Sequence, residues 1–217
     1  MRRSILAAAL LLALLSCGRA YARESPYVIH VDVEQKRLTL WQGSTLVASY
    51  PVATGSWETP SPIGVFRITH RFSGQMGGFG TCFLGLNVPW GNYGIHGTNK
   101  PESIGSNASH GCFRMRVQDS EELYGLVGNG AKVVITAGPY GLLDTSLRPL
   151  QPGDRSSHVK AVQARLLQLG FTYRWPDGIY GADTQKAVAK ARSTLGLAQA
   201  DKVDAALYRA LGIIAFE

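Results

Sequence analysis

The chain has 217 residues, 45% of them hydrophobic and 17% charged, with 25 glycines and 10 prolines and no low-complexity tract. This balance belongs to ordinary globular proteins and excludes a disordered or fibrous chain. The net charge of +7 is spread along the sequence. It therefore gives no nucleic-acid footprint and suits a partner carrying carboxylates or phosphates.

The opening stretch, MRRSILAAALLLALLSCGRAYARES, has a basic start, an uninterrupted apolar run from Ile5 to Leu15 and small residues behind it. That order is the pattern of a secretory signal peptide. The run is too short to cross a bilayer as a helix, which takes about 20 residues, and no later stretch comes close. The expectation is an exported protein, soluble once processed, with a signal peptide over residues 1–22 ending at Ala20-Tyr21-Ala22. The sequence Leu14-Leu15-Ser16-Cys17 also resembles a lipobox, and cleavage there would leave a lipidated Cys17 instead. Loss of residues 1–22 removes Arg2, Arg3 and Arg19 and no acid, taking the charge from +7 to +4. Cys82 and Cys112 then remain, and in an oxidising compartment one reading joins them in a disulfide.

From Tyr27 to about Thr136 the signals are those of strands. YVIHVDV and RLTLWQ alternate apolar and polar residues on either side of an EQK turn, and LVASYPV follows Gly43-Ser44. Further strands are expected at 64–72, 81–88, 113–117 and 131–136, separated by stretches rich in Gly, Pro, Asn and Ser. The pattern predicts a meander of hairpins closing into a mainly β sandwich or open barrel. One helix interrupts it at DSEELYGLV, where Asp119 and Glu122 have capping-box spacing and Leu123, Leu126 and Val127 share a face.

The segment 138–155 shifts to proline, glycine and turn formers and reads as a linker. Beyond it the period changes to about 3.6. Val159, Val162, Leu166 and Leu169 line one helix closed by Gly170; a WPDGIYG loop follows; Thr184 to Leu195 and Asp204 to Leu211 supply two more. The expectation is an all-α three-helix bundle over 156–214, near the lower size limit for an independent core.

The stretch SNASHGCFRMR places Cys112 between a glycine and an aromatic, two residues after His110. A free thiol ionises near pH 8.5, so a nucleophilic cysteine needs a histidine or aligned backbone dipoles to raise its thiolate fraction. Two histidines are at hand: His110, on the same strand face, and His96 in NYGIHGTNKPES, which a loop can bring back. Gly111 allows a tight turn, so that the N–H groups of residues 111, 112 and 113 could converge as an oxyanion hole. On residue type alone Cys112 reads more readily as a small buried hydrophobe than as a nucleophile. A zinc site from His96, His110, Cys112 and Cys82 has suitable ligand types without any tight ligand pair. His30, His70 and His158 read as solvated or structural.

The blocks IHGT and SIGSNASHGCFRM closely resemble the signature of the L,D-transpeptidase catalytic domain family (YkuD-type). TGSWETPSPIGVFRI resembles that family's TG…TP.G.F segment, and YVIHVDVEQKRLTLW with LVASYPVATG its opening hairpins, so the resemblance runs over about 27–137. It implies a sandwich-like β fold and a cysteine acyl transferase that acts on peptidoglycan stem peptides, with release of terminal D-alanine and an acyl-enzyme resolved by an amine. An L,D-carboxypeptidase, in which water resolves the same intermediate, and a non-catalytic wall-binding protein are the alternatives. Position by position, the resemblance makes Cys112 the nucleophile and His96 the general base, held through the carbonyl of Gly97. His110 shapes the pocket and assists the oxyanion side, Ser109 and Gly111 set the turn, and Arg114 holds a substrate carboxylate or braces the loop. As alternate strand residues Phe113 and Met115 face the core, and Trp90 and Tyr93, just before His96, read either as walls of the groove or as core. No metal or organic cofactor is called for.

The C-terminal segment resembles a three-helix peptidoglycan-binding domain through Gly153-Asp154, Val159, Gln163, Leu166, Leu169-Gly170, Asp177-Gly178, Tyr180-Gly181, Thr184 and Ala187-Val188. It departs where that pattern has Phe-Gln, with Ala191-Arg192 in this chain. The partner implied is peptidoglycan.

Overall fold

Three alternating segments build one edge of the sheet in a computed structural model, which describes residues 25–137 and 147–213. The expected signal peptide with Cys17, and residues 138–146 of the expected linker, lie outside the described residues. Strands β1 (Tyr27–Asp32), β2 (Arg37–Gln42) and β3 (Thr45–Pro51) form two antiparallel pairs. The register sets Ile29 opposite Leu40 and Val31 opposite Leu38. All four are fully buried, as period-two alternation demands when one face meets a core.

The remaining strands are β4 (Thr54–Gly55), β5 (Gly64–Ser73), β6 (Cys82–Leu86), β7 (Tyr93–Gly97), β8 (Asn107–Ser109), β9 (Phe113–Met115) and β10 (Lys132–Thr136). Eight of the ten form one sheet in the order β3-β2-β1-β10-β5-β6-β7-β9, and β4 pairs with β8 beside it. The architecture is a barrel-like β sheet, as the alternation predicts, but its path is not a plain meander. The closing strand β10 inserts between β1 and β5, parallel to β1, and β9 runs parallel to β7. Parallel neighbours need a crossover, and the segment between β7 and β9 carries β8 and the SHGC turn.

Helix α1 (Val117–Leu126) packs on β6 and β7. Its start corrects the capping-box expectation: Arg116 is the N-cap and makes no side-chain cap bond, so Asp119 and Glu122 both lie inside the helix. Leu123 and Val127 are buried as predicted. Phe113 and Met115 are fully buried in the same core.

The C-terminal module comprises α2 (Ser157–Gln168), α3 (Ala182–Thr194) and α4 (Ala205–Ala210). Ser156 caps α2 by accepting from the Val159 N–H, and Asp204 caps α4 by accepting from the Leu207 N–H. Val159, Val162, Leu166, Val188 and Leu207 form a separate core. Leu169 does not join them: it sits at the C-cap of α2 and is exposed. Part of the expected linker belongs to this module, because Leu150 is buried in its core and exchanges backbone hydrogen bonds with Val203. Arg192, the departure from the family pattern, is buried and structural. Its guanidinium donates to the Ala198 carbonyl at 2.6 Å and to Asp204 Oδ1 at 3.2 Å, tying α3 to the start of α4.

The two modules touch. The Ile63 N–H donates to Ser157 Oγ at 2.7 Å. The Trp90 ring lies against Gly178, where an added Cβ would come within 2.3 Å of it. The Lys160 ammonium sits 5.7 Å from the Trp90 ring centroid, within cation–π range.

Candidate active site

Two parallel strands bring the sequence-distant blocks together. The pairing of β7 with β9 sets Ile95 beside Phe113 and His96 beside Arg114, and Cys112 is the residue that enters β9. His96, His110, Cys112, Ser109 and Arg114 line one cavity of about 440 Å³, whose remaining walls include Phe79 and Phe83. Sequence reasoning missed both aromatics. Phe83 was within reach, since in TCFLGL it alternates with the buried Cys82 and Leu84 and so belongs to the opposite face.

His96 is buried, at 3% exposure. Its Nδ1 lies 2.5 Å from the Gly97 carbonyl oxygen. A carbonyl only accepts, so Nδ1 carries the proton and Nε2 keeps the free lone pair. The ring stacks on Phe83 with centroids 5.8 Å apart and meets Phe79 edge-on at 4.7 Å. Burial pushes the imidazole below its ordinary pKa; the Gly97 carbonyl opposes that shift, and the Arg114 charge adds to it. The ring is therefore neutral at physiological pH.

The Cys112 thiol is half-buried and free, with Sγ 4.0 Å from the Asn92 carbonyl oxygen. Burial raises its pKa, against a smaller pull downward from the Gly94 backbone and Arg114. With the thiol shifted up and the imidazole shifted down, the resting pair is a neutral thiol and a neutral imidazole. Cys82 is also free, and it is buried on the core-facing side of β6. The disulfide reading therefore fails. Among the described residues no three His, Cys, Asp or Glu side chains gather as a metal-holding group.

A short hydrogen-bond web fixes the turn before Cys112. Buried Ser109 accepts from the Gly111 N–H at 3.0 Å and donates to the Cys112 carbonyl at 2.6 Å. From the other side, Ser61 Oγ donates to the Gly111 carbonyl at 3.0 Å while accepting from the Gly55 N–H at 2.9 Å. The TGSWETPSPIG block is thus a cradle for the SHGC block. Gly111 sits at φ +107, and a Cβ there would come within 2.5 Å of the Tyr93 ring, so the position requires glycine. The web also corrects the oxyanion-hole expectation, because the Gly111 N–H is already committed to Ser109.

The other expected residues divide. His110 is exposed at the cavity rim, and Arg114 is half-buried in its wall with no ion pair among the described residues. Gly97 supplies the carbonyl as expected, and it is packed closely enough that a Cβ would lie 2.9 Å from Ser120 Oγ. Trp90 and Tyr93 do not wall this cavity. They line the crevice between the modules with Ser157 and His158, because Trp90 is drawn into the contact with Gly178 and the Tyr93 ring packs on Gly111.

The model of the L,D-transpeptidase catalytic domain (YkuD) matches residues 26–135. The chain belongs to the L,D-transpeptidase family. A peptidoglycan-binding domain model matches residues 155–211. Among curated relatives, the chain is 43% identical over 111 residues to YkuD of Bacillus licheniformis, assigned to the L,D-transpeptidases; the match covers 51% of this chain and 66% of that protein. It is 32% identical over 126 residues to YqjB of Bacillus subtilis, assigned likewise, covering 51% and 71%. Solved structures similar to this chain include an L,D-transpeptidase from Enterococcus faecium at 21% identity and TM-score 0.45, covering 52% of this chain and 50% of that one. L,D-transpeptidase 3 of Mycobacterium tuberculosis aligns at 16% identity and TM-score 0.46, covering 51% and 61%.

Proposed function

We propose that this chain is a cysteine L,D-transpeptidase acting on peptidoglycan stem peptides. The observation that carries the proposal is the single cavity lined by Cys112 and by a neutral His96 whose Nδ1–H is fixed on Gly97, which leaves Nε2 as a base. In the first half-reaction Nε2 takes the thiol proton as Sγ attacks the carbonyl that joins the diamino acid to its terminal D-alanine. A thioester forms, the amide C–N bond breaks, and D-alanine leaves with the proton returned by the imidazolium. An acceptor amine then attacks the thioester, gives its proton to Nε2, and forms the new amide as the Cys112 thiol is regenerated. General-base assistance of this kind contributes about 10²- to 10⁴-fold.

Because thiol and imidazole both rest neutral, charge separates only as substrate reacts. The Cys112 N–H and His110 then stabilise the oxyanion, and Arg114 faces a substrate carboxylate from the cavity wall. The C-terminal module holds the enzyme on peptidoglycan, and export follows from the signal peptide over residues 1–22. Incubation with disaccharide-tetrapeptide, followed by mass spectrometry, tests the assignment. Cross-linked dimer with free D-alanine is expected; tripeptide alone would make water the acceptor, and intact substrate would refute the reaction.

A further inference from the structure

The C-terminal module carries a cavity of about 200 Å³ that the reaction does not use, between α2, α3 and the loop joining them. The loop exposes two large aromatics almost completely: Tyr173 is 85% and Trp175 is 86% exposed. No other large hydrophobic residue of the described chain is as open, the next being Trp57 at 59%. Burying aromatics of this size is worth far more than leaving them in water. Their exposure beside a cavity therefore points to a ligand surface.

The polar lining says which ligand. Arg174 lies between the two aromatics in sequence, its guanidinium 5.7 Å from the Tyr173 ring, and pairs with Asp183 at 3.0 Å. Asp177 is the second carboxylate of the lining, and it accepts from Gln163 Nε2 and the Ile179 N–H. One guanidinium is thus outnumbered by two carboxylates. A free stem-peptide carboxylate would have to displace Asp183 and meet Asp177, whereas an uncharged sugar meets paired donors and acceptors suited to ring hydroxyls and acetamido groups. Flat aromatic faces complement the C–H faces of pyranose rings.

Resting on the peptidoglycan reading above, we propose that Tyr173, Arg174 and Trp175, with Asp183, form a glycan subsite that holds N-acetylated amino-sugar units of the strand, not its peptide stems. The module then anchors the enzyme by the sugar backbone and leaves the stems free for Cys112.

The test is co-sedimentation of the full chain with purified sacculi, competed by a soluble N-acetylglucosamine hexamer or by free stem tetrapeptide. The hexamer should release the wild type and the tetrapeptide should not. Trp175→Ala and Tyr173→Ala should each weaken sedimentation about tenfold while keeping wild-type circular dichroism, since both side chains are exposed. Their turnover of soluble disaccharide-tetrapeptide should be unchanged, which separates this proposal from the catalytic one. Wild-type sedimentation by both variants, release by tetrapeptide alone, or failure of the wild type to sediment would each overturn the subsite. None of these outcomes touches transpeptidation of the soluble substrate.

Discussion

Replacing Ser109 with alanine should damage the site more than its one lost oxygen suggests. Ser109 is 2% exposed, and its hydroxyl both accepts from the Gly111 N–H and donates to the Cys112 carbonyl. Alanine leaves both backbone groups without that partner, and a buried polar group left unpaired costs about 1–3 kcal/mol. The expected loss is about 2–4 kcal/mol, less than the upper sum because half-buried Cys112 retains some access to water. Urea unfolding of the full chain, followed by near-ultraviolet circular dichroism, measures it. The exposed Ser106→Ala serves as control and should stay within about 0.5 kcal/mol. The same web holds Gly111 at φ +107, so its release lets Cys112 drift, and a displacement of about 1 Å costs on the order of 100-fold in rate. Stability within 0.5 kcal/mol of wild type together with undiminished turnover would show that Ser109 does not set the turn.

The pH dependence follows from the direction of two shifts. With His96 below its usual 6.5 and Cys112 above 9.0, kcat/KM should fall on the acid side only below pH 6.5. Iodoacetamide labelling of Cys112 should rise with a midpoint above pH 9; fast, pH-independent labelling near pH 7 would mean a preformed ion pair instead. Phe83→Leu removes the ring stacked on His96 and should lower kcat up to about tenfold, given the ~0.5–1.5 kcal/mol typical of aromatic pairs, with KM unchanged and activity kept in Phe83→Tyr. Gly178→Val places a side chain into the Trp90 ring at a φ of +80 and should split thermal unfolding into two transitions; a single wild-type transition would mean that the modules do not lean on each other.

Much of this molecule was legible before any coordinates. The alternating strands on both sides of the sheet and the helical period beyond residue 156 follow from simple periodicity; thiol chemistry marks Cys112 and two nearby histidines as candidates, and the choice of His96 over His110 comes from the family resemblance. What escaped has identifiable causes. Strand β7 hides because NYGIHG carries glycines where strands usually carry branched residues. Gly94 packs so tightly on Phe83 that a Cβ would lie 2.4 Å from its ring, and Gly97 is packed on Ser120. The parallel pairings of β1 with β10 and β7 with β9 are long-range and leave no local trace. The groove reading of Trp90 and Tyr93 rests on proximity to His96 in sequence, but Trp90 precedes β7 and turns to the other module. The neutral state of Cys112 depends on burial, which no spacing reveals.

The central claim is that Cys112 carries the acyl group. Intact-protein mass spectrometry of the chain quenched in acid during turnover of disaccharide-tetrapeptide should show an adduct equal to the substrate less D-alanine, mapped to Cys112 and absent from Cys112→Ala. It should be formed far more slowly in His96→Gln than in His110→Gln. Release of D-alanine at the wild-type rate by Cys112→Ala would contradict the account.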